Sequence, residues 1–273
     1  MKQLAKIILF TLVCSMPLGL AHAYDIFPQS SLTPSTEYYT NDLGSIAVMT
    51  GGGNAANVGL PSGRNDDGFM GPIDLGFTLD FYGGSYTSFY ANNNGNISFN
   101  SGISSYIPSG PLGSNQPIIS PFFADVDTRT SAGVMHVQNT VADQWVITWD
   151  QVGFYSQNAT PTNSFQLILR GPDFDVPAGE GTFGFFYRAM GWDVTDTSTT
   201  AAVGFGNGSG DGIVIQGSNQ PGMAAVLQNH NIWFTQVGDE IEEIGPIPEP
   251  STFILLSGGL VGLAFAVRRR NKE

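Results

Sequence analysis

Hydrophobic and polar residues alternate along much of the middle of the chain, most clearly in the segment IDLGFTLDF at residues 73–81. One face of this segment carries Ile73, Leu75, Phe77, Leu79 and Phe81. Asp74 and Asp80 lie on the opposite face. A repeat of two residues is typical of a β-strand with one buried and one solvated face. Further strand-length segments rich in β-branched and aromatic residues are QWVITWD, NSFQLILR, GTFGFFYR, TAAVGFG, DGIVIQG and NIWFTQV.

Turn residues separate these segments, and Asn94-Gly95 is a dipeptide that accepts a positive φ in a tight hairpin. We therefore predict an all-β fold: a single antiparallel, β-sandwich-like domain of two packed sheets over residues 44–237. Residues 24–43 are polar and contain prolines, which predicts a loosely ordered lead-in segment. The acidic, proline-containing segment 238–247 predicts an extended linker.

The C-terminal region contains 18 residues, 250–267, without a charge. As a helix they would reach about 27 Å at ~1.5 Å per residue, close to the ~30 Å hydrocarbon core of a bilayer. Basic residues follow at once, and such residues stay on the cytoplasmic side of a membrane. A buried helix of a soluble protein is disfavoured, because the segment has no polar face. The pattern predicts a transmembrane helix that holds the β domain outside the cell.

The N-terminal region has the three parts of an export signal. Lys2 and Lys6 precede an apolar stretch at residues 7–13. Ala21 and Ala23 are the two small residues of a small-x-small motif, with cleavage expected after Ala23. We predict a signal peptide over residues 1–23. The single cysteine of the chain lies inside it, so the mature protein would contain no cysteine. Disulfides, thiol catalysis and cysteine metal ligands are then excluded.

The charge of the middle region is strongly negative. Residues 24–247 contain four arginines, no lysine and 21 acidic residues, a net charge of −17. Such a surface repels phosphates, which excludes nucleic acid as a partner and suits divalent cations or simple solubility. Lysine nucleophiles are excluded, and no G-x-S-x-G serine hydrolase motif is present. The sequence leaves open one catalytic alternative, a pair of carboxylates that acts as in glycosidases.

The last 26 residues, 248–273, resemble a sorting signal. Pro248-Glu249-Pro250, the apolar span and the final Arg268, Arg269 and Arg270 resemble the PEP-CTERM signal of Gram-negative, exopolysaccharide-producing bacteria. The resemblance implies cleavage near the motif by an exosortase, a membrane-embedded cysteine protease or transpeptidase. The prolines favour an extended, accessible segment at the membrane surface. The alternative is a plain single-pass anchor with a proline-rich linker.

The middle region resembles the NIDO domain, the extracellular domain first described in nidogen. The segments that carry this resemblance are LGFTLDFYGGSYTSFYANNNGNISFN, PIISPFFADVDTR, WVITWDQVGFY, NSFQLIL, GTFGFFYRAMGW, AAVGFGNGSGDG and NHNIWF. In animal matrix and surface proteins this domain is associated with cell–matrix adhesion and has no established catalytic activity. The resemblance implies a non-catalytic adhesion or matrix module and names no ligand. Together with the sorting tail, it predicts a protein of a biofilm or cell surface, with exopolysaccharide or other matrix proteins as partners. An enzyme acting on exopolysaccharide and a structural coat protein without a ligand are the alternatives.

Two groups of residues are candidate sites. Asp125 and Asp127, in FFADVDTR, would point to one side of an extended segment and offer oxygens to Ca²⁺, the one cofactor that the sequence indicates. Alternatively, Asp127 pairs with Arg129 and Asp125 caps backbone amides. The second group consists of Tyr82, Tyr86 and Tyr90, which would stack on sugar rings or else fill the core of the sheet.

Overall fold

The described part of the chain folds into two β-sheets. The computed structural model describes residues 24–109, 114–193, 200–237 and 240–244. The predicted signal peptide, the Pro248-Glu249-Pro250 motif, the C-terminal arginines and the predicted helix over 250–267 lie outside the described residues. Among the helices that are described, none has the length and apolar character needed to cross a membrane.

The strands in the first half of the chain are β1 (Asp25–Phe27), β2 (Thr33–Pro34), β3 (Ser45–Ile46), β4 (Gly51–Gly52), β5 (Gly68–Phe81), β6 (Gly84–Asn92), β7 (Asn96–Ser98), β8 (Ile118–Phe123), β9 (Val126–Asp127) and β10 (Met135–Gln138). Those in the second half are β11 (Gln144–Phe154), β12 (Asn158–Arg170), β13 (Phe183–Met190), β14 (Ala202–Gly206), β15 (Gly212–Ile215), β16 (His230–Val237) and β17 (Glu240–Ile244). The helices are α1 (Met223–Leu227) and two 3₁₀ turns (Gln29–Ser31 and Ala55–Asn57).

The first sheet has eight strands in the order β1-β15-β14-β8-β7-β6-β5-β4. The second has nine, with the order β17-β16-β13-β12-β11-β10-β3, while β2 pairs with β16 and β9 pairs with β11. Strands that follow one another in sequence, such as β5-β6-β7 and β10-β11-β12-β13, are antiparallel neighbours. Both sheets are thus built mainly from local hairpins.

The two sheets pack face to face through aromatic side chains. Phe89 of the first sheet lies 5.3 Å from Trp145 of the second, measured between ring centroids. The Phe122–Phe165 pair is 5.5 Å apart, and the Phe205–Phe183 pair is 4.7 Å apart. These pairs lie in one continuous cluster of buried residues from both sheets. The predicted two-sheet β domain is therefore confirmed.

The alternation predicted for residues 73–81 is present in β5. Ile73, Leu75, Leu79 and Phe81 are buried, and Asp74 and Asp80 are exposed. Phe77 is only half-buried, although the pattern places it on the same face. All six residues of β8 are buried, because a second cluster with Ile103 covers the face that points away from the other sheet. Such a strand shows no alternation for a sequence pattern to detect.

The structure differs from the predictions at both ends of the domain. Residues 24–43 are not a loose lead-in. β1 is a strand of the first sheet, β2 pairs with β16 of the second sheet, and Leu32 and Tyr38 are buried. Part of the predicted linker forms β17, which pairs with β16. In each case the added strand occupies backbone donors and acceptors that an edge would leave unpaired. The β1–β15 pair is parallel, so the expectation of an antiparallel sandwich is wrong at this pair.

Gly95 lies in the turn between β6 and β7, where the Asn94-Gly95 dipeptide predicts a hairpin. Its φ is +78°, and a Cβ at this position would lie 1.9 Å from the carbonyl oxygen of Phe122. Gly83 has a φ of +75°, but a Cβ there would meet no described atom within 4 Å. The two glycines thus share one backbone conformation and differ in their surroundings.

We expect Gly95→Ala to lower the free energy of unfolding by more than about 2 kcal/mol, because left-handed strain of about 1–2 kcal/mol is added to a clash with Phe122. In the matched variant Gly83→Ala, the left-handed strain alone should lower the free energy of unfolding, by about 1 kcal/mol. Urea unfolding followed by tryptophan fluorescence measures both losses. Equal losses would show that the close approach to Phe122 contributes nothing.

Candidate functional site

Three aspartates meet at the ends of strands in the first sheet. Asp66 and Asp67 immediately precede β5, and Asp125 lies in the turn between β8 and β9. One carboxylate oxygen from each of the three lies within 4.8 Å of the other two. We call Asp66, Asp67 and Asp125 the acidic cluster.

Backbone and amide contacts hold the segments of the acidic cluster together. The Asn65 N–H donates to Thr128 Oγ1 at 2.9 Å, and the Thr128 N–H donates to the Asn65 carbonyl at 3.0 Å. Asn94 joins both sides, because its Nδ2 donates to Asp67 Oδ1 at 2.7 Å and its Oδ1 accepts from the Val126 N–H at 2.9 Å. The hairpin residue Asn94 therefore fixes the position of Asp67 relative to Asp125.

The carboxylate of Asp125 is buried and has no described hydrogen-bond donor. Its residue is 1% exposed, and no described group donates a hydrogen bond to either of its two oxygens. Asp66 Oδ1 is likewise buried and unpaired within the described residues. Nearly all buried polar groups in proteins have a hydrogen-bond partner. The three unpaired oxygens of Asp125 and Asp66 therefore require an explanation.

The pKa values of all three aspartates of the acidic cluster are raised, chiefly because burial penalises the charged carboxylate. Burial, followed by the negative charges of Asp67, Asp66 and Asp127, raises the pKa of Asp125 to about 8. Burial and the charges of Asp127 and Asp67 raise the pKa of Asp66 to about 7. The pKa of Asp67 is also raised, chiefly by burial. The guanidinium of Arg129 lowers all three pKa values, but it does not outweigh these causes.

Asp127, predicted to share a cation with Asp125, is placed differently. Its carboxylate accepts from Arg129 Nε at 2.9 Å, from Arg129 Nη2 at 2.5 Å and from the Gln157 N–H at 2.8 Å. Arg129 Nη2 also lies 2.7 Å from Asp66 Oδ2. The alternative in which Asp127 pairs with Arg129 describes the structure, whereas the Asp125 carboxylate caps no described amide.

Asp66 and Asp67 are the members of the acidic cluster that sequence reasoning missed. They lie far from Asp125 in the chain, and no spacing rule links the two positions. The signal available was an Asp-Asp-Gly triplet directly before the alternating segment of β5. The two regions are brought together by strand pairing, through the antiparallel bridge between Asp66 and Asp127, and by the contacts of Asn65 and Asn94 described above.

The three candidate tyrosines are each partly buried against another ring. Tyr82 lies 4.9 Å from Phe81, Tyr86 lies 4.9 Å from Phe99, and Tyr90 lies 5.7 Å from Phe69, between ring centroids. Tyr82 and Tyr86 also pack against the main core. Their use in stacking on sugars stays a prediction.

The described part of the chain contains at least two clefts. One, of about 240 Å³, lies between the sheets and is lined by residues that include Asp80 and Arg170. The other, of about 470 Å³, is more polar and includes Asp150 and Arg188. Each of the two described linings contains a single carboxylate side chain.

The fold defines the class of this chain as an all-β domain of two packed sheets. More specifically, the chain belongs to the NIDO-related family, whose model matches residues 34–239. The model of the PEP-CTERM protein-sorting motif matches residues 246–270. Both resemblances that the sequence carries are thereby confirmed. The sorting motif implies processing by an exosortase, and the two matches together support an exported cell-surface protein.

Several curated proteins are similar to part of the chain. Alpha-tectorin of Gallus gallus is 27% identical over an alignment of 204 residues, and the match covers 61% of this chain and 9% of that protein. Alpha-tectorin of Mus musculus is 32% identical, and that of Homo sapiens 31%, each over an alignment of 165 residues. Each match covers 51% of this chain and 7% of the relative. The chain thus spans less than a tenth of the length of these relatives. No solved structure matches the chain significantly.

Proposed function

We propose that this chain is a non-catalytic adhesion or matrix-association protein of the bacterial cell surface or biofilm matrix. Its NIDO-related domain would contact exopolysaccharide or other matrix proteins, and its tail would be processed by an exosortase. The observation that carries the proposal is the succession of a NIDO-related domain and a PEP-CTERM motif in one chain. An extracellular type of domain is thus joined to a surface-delivery signal.

The extent of the folded domain supports this arrangement. β1 begins at Asp25, two residues after the predicted cleavage position at Ala23. β17 ends at Ile244, two residues before the PEP-CTERM match begins at residue 246. The strands therefore reach both ends of the segment between export signal and sorting tail. Before processing, a membrane-held tail would keep the domain close to the outer face of the bilayer.

The two clefts support a binding role rather than hydrolysis of a polysaccharide. Glycosidases of the common types need two carboxyl groups, about 5–5.5 Å apart or about 6.5–9.5 Å apart, on either side of the scissile bond. Asp80 is the acid in the described lining of one cleft, and Asp150 is the acid in that of the other. Asp150 accepts a hydrogen bond from Tyr38 at 3.0 Å, which engages one of its oxygens within the protein.

Processing of the tail is tested by fractionating the native cells and measuring the intact mass of the protein. We expect a surface or matrix form that begins at Tyr24 and ends near residues 248–250. A double variant, Pro248→Ala with Glu249→Ala, should stay full-length in the membrane fraction, because the recognised motif is lost. Untrimmed protein inside the cell, in variant and wild type alike, would overturn the surface role.

Binding is tested with the processed protein from the surface fraction and the polysaccharide of the producing cells. We expect the protein to sediment with the polymer and to leave the viscosity of the polymer unchanged. A loss of viscosity would instead establish an enzyme. The absence of co-sedimentation would favour a coat protein without a ligand. The variant Tyr86→Ser, compared with Tyr155→Ser at an exposed tyrosine, reports whether the candidate tyrosines contribute.

A further inference from the structure

We propose that the acidic cluster of Asp66, Asp67 and Asp125 binds a calcium ion that ties the loop before β5 to the turn between β8 and β9. This inference is independent of the proposed adhesion role. It rests on the placement of the carboxylate oxygens, on the lack of described partners for both oxygens of Asp125 and for Asp66 Oδ1, and on the local charge.

The spacing of the oxygens fits a shared ion. Calcium–oxygen distances of 2.3–2.6 Å allow two ligands of one ion to lie up to about 4.6–5.2 Å apart. The three ligand oxygens of the acidic cluster lie within 4.8 Å of one another, which is inside this limit. Three carboxylates, without histidine or cysteine, form a hard oxygen donor set of the kind that suits Ca²⁺ rather than a transition metal.

The independent observation is the isolation of Asp125. Its side chain is almost fully buried, it faces the other two carboxylates, and no described donor reaches either of its oxygens. Asp66 uses Oδ2 for Arg129, while its buried Oδ1 has no described partner. A cation shared by the three aspartates would give the buried carboxylate of Asp125 the partner that no described group supplies.

Two further unpaired oxygens lie on segments next to the acidic cluster. Asn65 precedes Asp66 in the chain, and the Asn93 N–H donates to the Gly68 carbonyl at 2.8 Å. The side-chain oxygens of Asn65 and Asn93 are buried and accept no hydrogen bond from any residue that the structure describes. Since Ca²⁺ takes six to eight oxygen ligands, these two oxygens and water are candidates for the positions that the carboxylates leave open.

The net negative charge around the acidic cluster also favours the binding of a cation. Asp66, Asp67, Asp125 and Asp127 face a single guanidinium, that of Arg129, which is held by Asp127 and Asp66. With the four carboxylates ionised, this group carries a net charge of −3, and a divalent ion reduces it to −1. Bound calcium would therefore relieve the repulsion among carboxylates that the fold places in a region with little water.

Thermal unfolding of the processed surface protein tests the site. The protein is freed of metal with a chelator and then titrated with CaCl₂, MgCl₂ or NaCl at matched ionic strength. We expect a saturable rise in Tm of about 5–10 °C with calcium near saturation, and isothermal titration calorimetry should give one ion per chain. NaCl should have little effect. An equal rise with Mg²⁺ would overturn the assignment to calcium.

Asp125→Asn is the decisive variant, because it keeps the shape of the side chain, removes the charge and offers only one carbonyl oxygen. It should fold and lose most of the calcium-dependent rise in Tm. The matched control is Asp74→Asn, at an exposed aspartate of β5 outside the acidic cluster, which should keep the full rise. No rise in the wild type at about 10 mM calcium, above the usual range of extracellular modules, or a full rise in Asp125→Asn, would overturn the proposal.

Discussion

Replacing Arg129 with methionine is expected to destabilise the metal-free protein by about 3–5 kcal/mol, because it removes the counter-charge of a buried carboxylate. Asp127 is fully buried, and its two oxygens accept from the Nε and Nη2 of Arg129. After the change the carboxylate would keep the N–H groups of residues 129 and 157 alone. It would also lie beside three further aspartates without a nearby cation.

Two controls separate the charge from the shape of the arginine. Arg129→Lys keeps the positive charge and loses the forked contact with Asp127, so its loss should be smaller. The double variant Arg129→Met with Asp127→Asn should recover part of the stability, because the unpaired charge is gone. Urea unfolding in the presence of a chelator measures all three. A loss below about 1 kcal/mol for Arg129→Met, the range of exposed ion pairs, would show that solvent already screens Asp127.

Replacing Phe205 with alanine is expected to cost about 3–5 kcal/mol, the usual range for an aromatic residue removed from a packed core. Phe205 is fully buried on β14 of the first sheet. Its ring centroid lies 4.7 Å from that of Phe183 and 4.8 Å from that of Phe234, both on the second sheet. The alanine variant would leave a cavity between the sheets where three rings now meet.

The matched control is Tyr106→Ala, at an aromatic residue that is 41% exposed. Surface changes of this kind usually alter the free energy of unfolding by less than about 0.5 kcal/mol. Phe205→Leu fills most of the space and should lie between the two. Calorimetry or urea unfolding compares the three variants. A similar effect of Phe205→Ala and Tyr106→Ala would contradict the packing of the two sheets at Phe205.

Sequence patterns predicted the fold where the burial of a strand is one-sided. β5 shows the alternation on which the prediction rests, and the Asn94-Gly95 turn lies where the dipeptide indicates. β8 gives no such signal, because both of its faces are covered. β1 and β2 were not predicted, since short strands at the ends of the domain owe their conformation to the strands they pair with.

The candidate site was predicted only in part, for a related reason. Asp125 was chosen from its spacing to Asp127, but spacing along an extended segment says nothing about counter-ions. Arg129 forms an ion pair with Asp127, and the carboxylates that lie close to Asp125 come from the loop before β5. The Asp-Asp-Gly triplet marks Asp66 and Asp67 as residues before a strand, but in a chain with 23 acidic residues it does not link them to Asp125.

The amino-acid sequence by itself determined the β character of the domain, its family and the sorting tail, because strand alternation and linear motifs are properties of neighbouring residues. It also determined the absence of lysine from residues 24–247, which leaves few cations to pair with the acids. Tertiary structure alone decided which carboxylates meet. Their contact depends on strand pairing between distant segments, and burial then removes the water that would otherwise separate their charges.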